Sequence, residues 1–361
     1  MASADSDPTD LLLLTAELVD IASESYAEAP IVAWLESELV GLAHLEVTRV
    51  GDNLVARTRL GRPTRVILAG HTDTVPANGN ATARIDGDVL WGVGSADMKS
   101  GLAVMLHAAR TMIEPALDVT YVFYAREEVA SVHSGLGELF ELRPDLLAGD
   151  VALLGEPTDG GIEAGCQGTI RFVVTLVGDR AHTARAWMGR NAIHRAAPLL
   201  GAVAGYEPRR PVIDGCEYHE ALQVVAIEGG VSGNVVPDRV CLTVAHRFAP
   251  DRSSAEAEAH VRALFAPHVV DGDTVEVIDV AAAAAPSLTH PVIASIIERR
   301  GVEIRAKLGW TDVARFAEHG VPAANFGPGD ATVAHTAGEH VRRGSISRTW
   351  IAVEELLRLG V

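Results

Sequence analysis

Short apolar runs that end on a glycine or alanine and then a titratable residue recur along this chain. "RVILAG" (65–70), "VTYVFYA" (119–125), "DVALLG" (150–155) and "VPAANFG" (321–327) each read as a core strand covered on both faces. Stretches with apolar residues at helical spacing lie between them, such as "SGLAVMLHAARTM" (100–112). That alternation predicts an α/β domain with a mostly parallel central sheet.

The middle of the chain has a different period. In "GTIRFVVTLVG" (168–178), Ile170, Phe172, Val174 and Leu176 face one way while Arg171, Val173 and Thr175 face the other. "RVCLTVAHRF" (239–248) alternates in the same way, with Val240, Leu242, Val244 and Phe248 on one face. Strict alternation marks a sheet with one covered face. "GRNAIHRAAPLLGAVAGY" fits a helix that packs there. A smaller α+β domain, 167–280, is therefore expected to interrupt a catalytic domain made of 1–166 and 281–361. The "AAAAAP" at 281–286 reads either as the return hinge or as a helix end closed by proline.

Charge and composition narrow the partners. A formal charge of −18 offers no basic stripe for nucleic acid. A small acidic substrate needs only a local arginine cluster, so it stays compatible. The opening "MASADSDPTD" is acidic, unlike a signal or transit peptide. "LLLL" at 11–14 stops at Thr15, far short of the ~20 apolar residues that span a membrane. A cytoplasmic protein is expected. Cys166, Cys216 and Cys241 are odd in number and lack metal-ligand spacing, which predicts reduced, mostly buried thiols.

Open α/β sheets bind ligands beyond the carboxyl ends of their strands. His71 and Asp73 follow the first core strand, Glu127 and Glu128 the second, and Glu156 the third. The last leads through "NFGPGDATVAH" to His335. Asp97 lies in the glycine-rich "GVGSADMKSG" before the helix at 100–112. Taken singly, each has a plain reading: a structural His-x-Asp, a solvated Glu-Glu turn, an N-cap at Asp97. Together they would carry excess negative charge at one sheet edge unless a cation joined them, and mixed histidine and carboxylate ligation suits zinc, cobalt or manganese. Residues two apart in extended chain point the same way, so Asp73 can hold one ring nitrogen of His71 while the other binds metal. Neighbouring Glu127 and Glu128 diverge, which lets one bind metal while the other faces a reacting water.

"GHTDTVP", "GVGSADMKSG", "REE", "GEPT" and the late "AH", in that order over nearly the whole chain, resemble the dinuclear zinc aminoacylase and carboxypeptidase family. The resemblance implies a zinc-exopeptidase-like catalytic domain with an inserted lid and dimerisation domain, and two Zn2+ per subunit with Co2+ or Mn2+ as substitutes. It implies that Asp97 bridges the two ions, that His71 and Glu156 complete one site, and that Glu128 and His335 complete the other. Glu127 would be the general base. His182 would cross from the partner subunit of a homodimer to stabilise the oxyanion. "GCQGT", "AHTARAWMGRNAIH", "GGVSGNVVPDR", "RFAPD" and "GWTDVARF" narrow the resemblance to actinobacterial members that release succinate from N-succinyl-L,L-diaminopimelate, a step of diaminopimelate and lysine biosynthesis.

Two departures from the family pattern stand out. Gly92-Val93-Gly94 replaces a common Gly-Arg-Gly and leaves Asp97 intact. Cys166-Gln167 stands where many succinyl-hydrolysing members have basic residues, although a dicarboxylic substrate needs cations, preferably arginine. Arg185 and Arg247 are the candidate replacements, with Asn234 and Gly309 at further substrate positions. Both arginines also read as surface residues, and Asn234 as a turn former. His340 is a rival to His335. His44, His107, His133 and His290 are read as structural or exposed. The metal motifs fit a member that hydrolyses N-acetylornithine or another acylamino acid equally well, and a carboxypeptidase or dipeptidase stays open. A non-catalytic relative would have lost the base or a ligand, and neither is missing.

Overall fold

The computed structural model describes residues 10–361; the acidic opening segment lies outside them. Two compact units emerge. One holds the described residues up to Gly165 with Pro286–Arg305 and Arg315–Val361; the other holds Cys166–Ala285 and Ala306–Ala314. The stretch 306–314, including Gly309, thus clusters with the inserted unit, whereas the sequence reading leaves it with the catalytic domain.

The first unit is built on an eight-stranded sheet in the order 46–50, 53–57, 118–124, 65–71, 151–154, 323–325, 162–164, 304–306. The strands 118–124, 65–71, 151–154 and 323–325 run parallel, and antiparallel strands flank them. The parallel strands are buried almost throughout, which is why their sequences are continuous apolar runs rather than alternating ones. Helix Ser100–Thr111 packs on this sheet and against helices Leu11–Asp20 and Arg343–Leu359. The "LLLL" run opens Leu11–Asp20, where Asp10 caps the helix by accepting from the Leu12 amide at 3.0 Å. No described helix is long and apolar enough to cross a membrane. Close packing explains the glycine that ends the first core strand: a Cβ on Gly70 would sit 2.3 Å from Met98 Cε.

The second unit is an antiparallel sheet in the order 221–229, 239–248, 168–177, 274–281. Its covered face carries Ile170, Phe172, Val174, Leu176, Val240, Leu242, Val244 and Phe248, packed with residues of helices Ala192–Ala204 and Ser254–Phe265. This is the alternation expected from the sequence. The alanine run forms no helix end: Ala281 closes strand Thr274–Ala281, and Ala284 pairs with Cys166 in an isolated bridge. The three cysteines are free.

One ion pair ties a helix of this unit to its sheet. Arg195 Nη1 and Nη2 donate to the two Asp273 carboxylate oxygens at 2.8 and 2.6 Å, and the Val177 and Val270 amides donate to the same carboxylate at 2.8 and 2.9 Å. The Asp273 side chain is fully buried. Burial works against its charge, but these four donors win and hold its pKa at about 2. Asp273→Ala leaves a partly exposed guanidinium and two amides without their acceptor, and should destabilise the unit by about 1–3 kcal/mol, measured by urea unfolding. Because the folded pKa is depressed, the stabilisation is complete above the ordinary carboxylate range and fades as pH falls towards 2, so the gap between wild type and variant should narrow with acid.

Candidate metal centre

Strand register gathers the titratable residues of the first unit. His71 lies opposite Tyr124, and Ala69 opposite Leu154, on parallel neighbours. Glu127 and Glu128 follow the first neighbour by a few residues, and Glu156 follows the second. Asn325 pairs in parallel with Leu154, so the chain leading to His335 leaves the sheet at the same end. Asp97 comes from the Ser95–Lys99 turn. It does not cap the helix that follows: its φ and ψ are −119° and 94°, and the capping position is Lys99, without a side-chain cap bond.

Three sets of possible ligand atoms lie within 4.8 Å of one another: His71, Asp97 and Glu156; Asp97, Glu128 and His335; and His71, Glu127 and Glu128. Asp97 is common to the first two. His71 Nε2 is 3.1 Å from Asp97 Oδ1, and His335 Nε2 is 2.8 Å from Glu128 Oε1 and 3.5 Å from Asp97 Oδ2. Burial opposes a charge on His71, yet Asp73 and Asp97 raise its pKa well above the usual value. The carboxylates of Asp97 and Glu128 push His335 up to about 10. This set of imidazoles and carboxylates, sharing one acid and attracting positive charge, fits the ligation of divalent metal.

Asp73 meets His71 with two of its groups. His71 Nδ1 lies 3.0 Å from the main-chain carbonyl of Asp73 and 3.5 Å from its carboxylate. That carboxylate also accepts from the Glu127 amide at 3.0 Å, the Glu128 amide at 3.1 Å and the Ser25 hydroxyl at 2.8 Å. Burial raises its pKa, but His71 and these donors bring it down to about 2. One buried carboxylate therefore fixes the main chain of both glutamates while the carbonyl of the same residue orients the histidine.

Sequence reasoning missed two groups here. Ser25 is one. The other is Glu339, 1% exposed, whose Oε1 accepts from the Ala96 and Asp97 amides at 3.1 Å each. Neither residue follows a core strand, and no spacing signals them. His340 lies outside all three ligand sets: its ring packs on Trp91 at 4.5 Å and its Nδ1 donates to the Gly338 carbonyl. Elsewhere His44 bonds the Ala109 carbonyl, His107 packs edge-on against Trp350, His133 packs against Tyr26, and His290 caps Pro291–Arg300.

The other candidates belong to the second unit. His182 is exposed, and its Nδ1 accepts from the Ala184 amide at 3.0 Å, so the neutral ring carries its proton on Nε2 and can donate outwards. Asn234 is adjacent: its carbonyl accepts from the Thr183 amide, and Val235 bridges to His182. Arg185 is exposed on the same turn. Arg247 lies opposite Thr169 on the sheet face away from the helices, half-buried, and its buried Nη1 has no hydrogen-bond partner. Gly309 is exposed, with Lys307 Cε 3.8 Å from where its Cβ would be.

Residues 67–358 match the profile of peptidase family M20/M25/M40. The chain is 49% identical over 352 residues to a Mycobacterium tuberculosis protein provisionally named succinyl-diaminopimelate desuccinylase DapE, covering 97% of both. It is 45% identical over 336 residues to the succinyl-diaminopimelate desuccinylase of Corynebacterium glutamicum, covering 91% of both. Among solved structures, an M20 family metallo-carboxypeptidase from Sulfolobus solfataricus superposes with a TM-score of 0.78 at 15% identity, covering 97% of this chain and 99% of that one.

Proposed function

Since this chain belongs to peptidase family M20/M25/M40, we propose that it removes succinate from N-succinyl-L,L-diaminopimelate by metal-dependent hydrolysis of the amide. The observation that carries this reading is the 45–49% identity, over nine-tenths or more of the chain, to proteins named for that reaction. The shared position of Asp97 in two ligand sets supports a dinuclear centre. In this reading Asp97 holds both ions, His71 and Glu156 complete one site, and Glu128 and His335 complete the other.

When bound, zinc (or cobalt or manganese in its place) polarises the amide carbonyl and lowers the pKa of water towards neutrality. Glu127 takes a proton from the attacking water and passes it to the departing amine, a role worth ~10²–10⁴-fold. Asp73 keeps the glutamate's main chain in place, as its bonds to the 127 and 128 amides support. His182, crossing from the partner subunit of a homodimer, would offer its Nε2–H to the developing oxyanion, an effect of ~3–4 kcal/mol in comparable holes.

For the dicarboxylic substrate, the unpartnered Nη1 of Arg247 supports that residue as a carboxylate partner more directly than it supports exposed Arg185. Asn234 and Gly309 complete the proposed contacts. A homodimer through the inserted unit is supported by its edge strand Ala221–Gly229, which pairs on one side only and exposes Val225 and Ile227.

The test compares kcat/KM for N-succinyl-L,L-diaminopimelate and N-acetylornithine on zinc-loaded protein, with a chelated control. A preference of 100-fold or more for the succinyl substrate, abolished by chelation, is expected. Preference for the acetyl substrate would keep the metal chemistry and overturn the assigned substrate.

A further inference from the structure

The turn that carries Asp97 presents several main-chain amides to one point. Gly94 has φ +75°, and a Cβ there would lie 2.6 Å from Thr74 Cγ2, so only glycine fits the left-handed bend. Beyond the bend, the Ala96 and Asp97 amides converge at 3.1 Å each on Glu339 Oε1; burial raises the pKa of this carboxyl, and the amides of the turn work against that rise. Successive amides in a turn form an anion-binding concavity. Here the anion is a side chain of the protein.

The segment that supplies it is clipped to the same region by its backbone. The Gly92 amide donates to the Glu339 carbonyl at 3.1 Å, and strand His340–Arg342 pairs with Val89–Trp91. Lys99 is 1% exposed; it donates to the Ile21 carbonyl at 2.8 Å and offsets the buried charge of Glu339.

We propose that Glu339 is a positioning residue: its carboxylate fills the amide concavity of residues 94–97 and so holds the Asp97 carboxylate in place for both ions before either arrives. Glu339 touches neither substrate nor ion in this role. The proposal rests on reading Asp97 as the shared metal ligand. It differs from the Asp73 arrangement, because Glu339 acts from beyond the insertion on a turn that precedes it.

The test uses Glu339→Ala and Glu339→Gln in the full chain. Glutamine keeps an oxygen that accepts from both amides, and alanine keeps none. Three readouts are taken: the gain in Tm on adding zinc to chelated protein, the zinc retained per subunit after dialysis, and kcat and KM for N-succinyl-L,L-diaminopimelate. Glu339→Ala should lose most of the zinc-induced Tm gain and lower kcat at least tenfold with KM within threefold. Glu339→Gln should restore both to within about threefold of wild type.

A role in general stability alone would lower Tm with and without zinc equally, leave the zinc-induced gain unchanged, and overturn the proposal. Wild-type protein that gains no Tm with zinc would instead remove the metal reading beneath it. Should Glu339→Ala not fold, hydrogen exchange on chelated wild-type protein decides the matter. Slow exchange of the Ala96 and Asp97 amides without zinc supports the brace, and fast exchange that slows only on adding zinc overturns it.

Discussion

Glu127→Ala should turn over N-succinyl-L,L-diaminopimelate ~10²–10⁴-fold more slowly than wild type while retaining its full complement of metal. The reasoning runs from the turn outwards. Asp73 accepts from the amides of Glu127 and Glu128 through its two carboxylate oxygens, so the main chain of the pair is fixed whatever the side chain of residue 127. Glu128 then keeps its contact with His335 at 2.8 Å. Loss of the Glu127 carboxylate removes the proton acceptor and leaves the two sets of atoms around Asp97 intact. Metal analysis alongside single-turnover kinetics checks this. Zinc lost together with activity would mean that base and ligand have been exchanged in the assignment.

Asp97→Ala has the larger expected effect on metal. Asp97 Oδ1 faces His71 and Oδ2 faces His335, so each proposed ion loses a ligand in one substitution. Changes outside the ligand shell commonly cost 10–100-fold in metal affinity, and loss of a ligand common to two ions should exceed that at both. The dialysed variant should hold under a tenth of the wild-type zinc and show no turnover above the chelated control. His335→Ala is the natural comparison, since it strips one ligand set only and should retain the ion of the other. An Asp97→Ala protein that keeps both ions would refute the shared-ligand assignment.

The gathering of His71, Glu127, Glu128, Glu156 and His335 was legible because parallel strands discharge their following residues at one end, and core strands are recognisable by composition alone. The alternating strands 168–177 and 239–248 were legible for a similar reason, since one covered face writes a period of two into the chain. Other features depend on contacts between distant residues, which no local pattern records. Glu339 acts on amides some 240 positions earlier, and any residue type has an amide. Ser25 reaches Asp73 across 48 positions from a loop with no unusual composition. His71 Nδ1 meets the main-chain carbonyl of Asp73 as well as its carboxylate, and side-chain chemistry pointed only to the second. Of the two readings of the alanine run at 281–286, the helix end fails, since helix propensity yields to strand pairing up to Ala281 and to a bridge with Cys166, whereas the return to the first unit does fall within the run, between Ala285 and Pro286.

The order of the metal-centre residues along the chain bears on biosynthesis. His71, Asp97, Glu127, Glu128 and Glu156 all precede the inserted unit, whereas His335 and the turn-holding Glu339 follow it. On a ribosome the first ligand set is complete when Glu156 emerges, but the second waits for about 180 further residues, roughly 10–40 s of synthesis at typical rates. Throughout that interval the nascent chain carries the residues of the first ligand set without His335, and the Asp97 turn lacks the carboxylate of Glu339. The inserted unit, by contrast, has nearly all of its strands and helices in hand before His335 is made. Completion of the second ligand set is thereby deferred to the last stage of translation, and a message broken shortly before codon 335 would encode every residue of the second unit but lack His335 and Glu339 of the first.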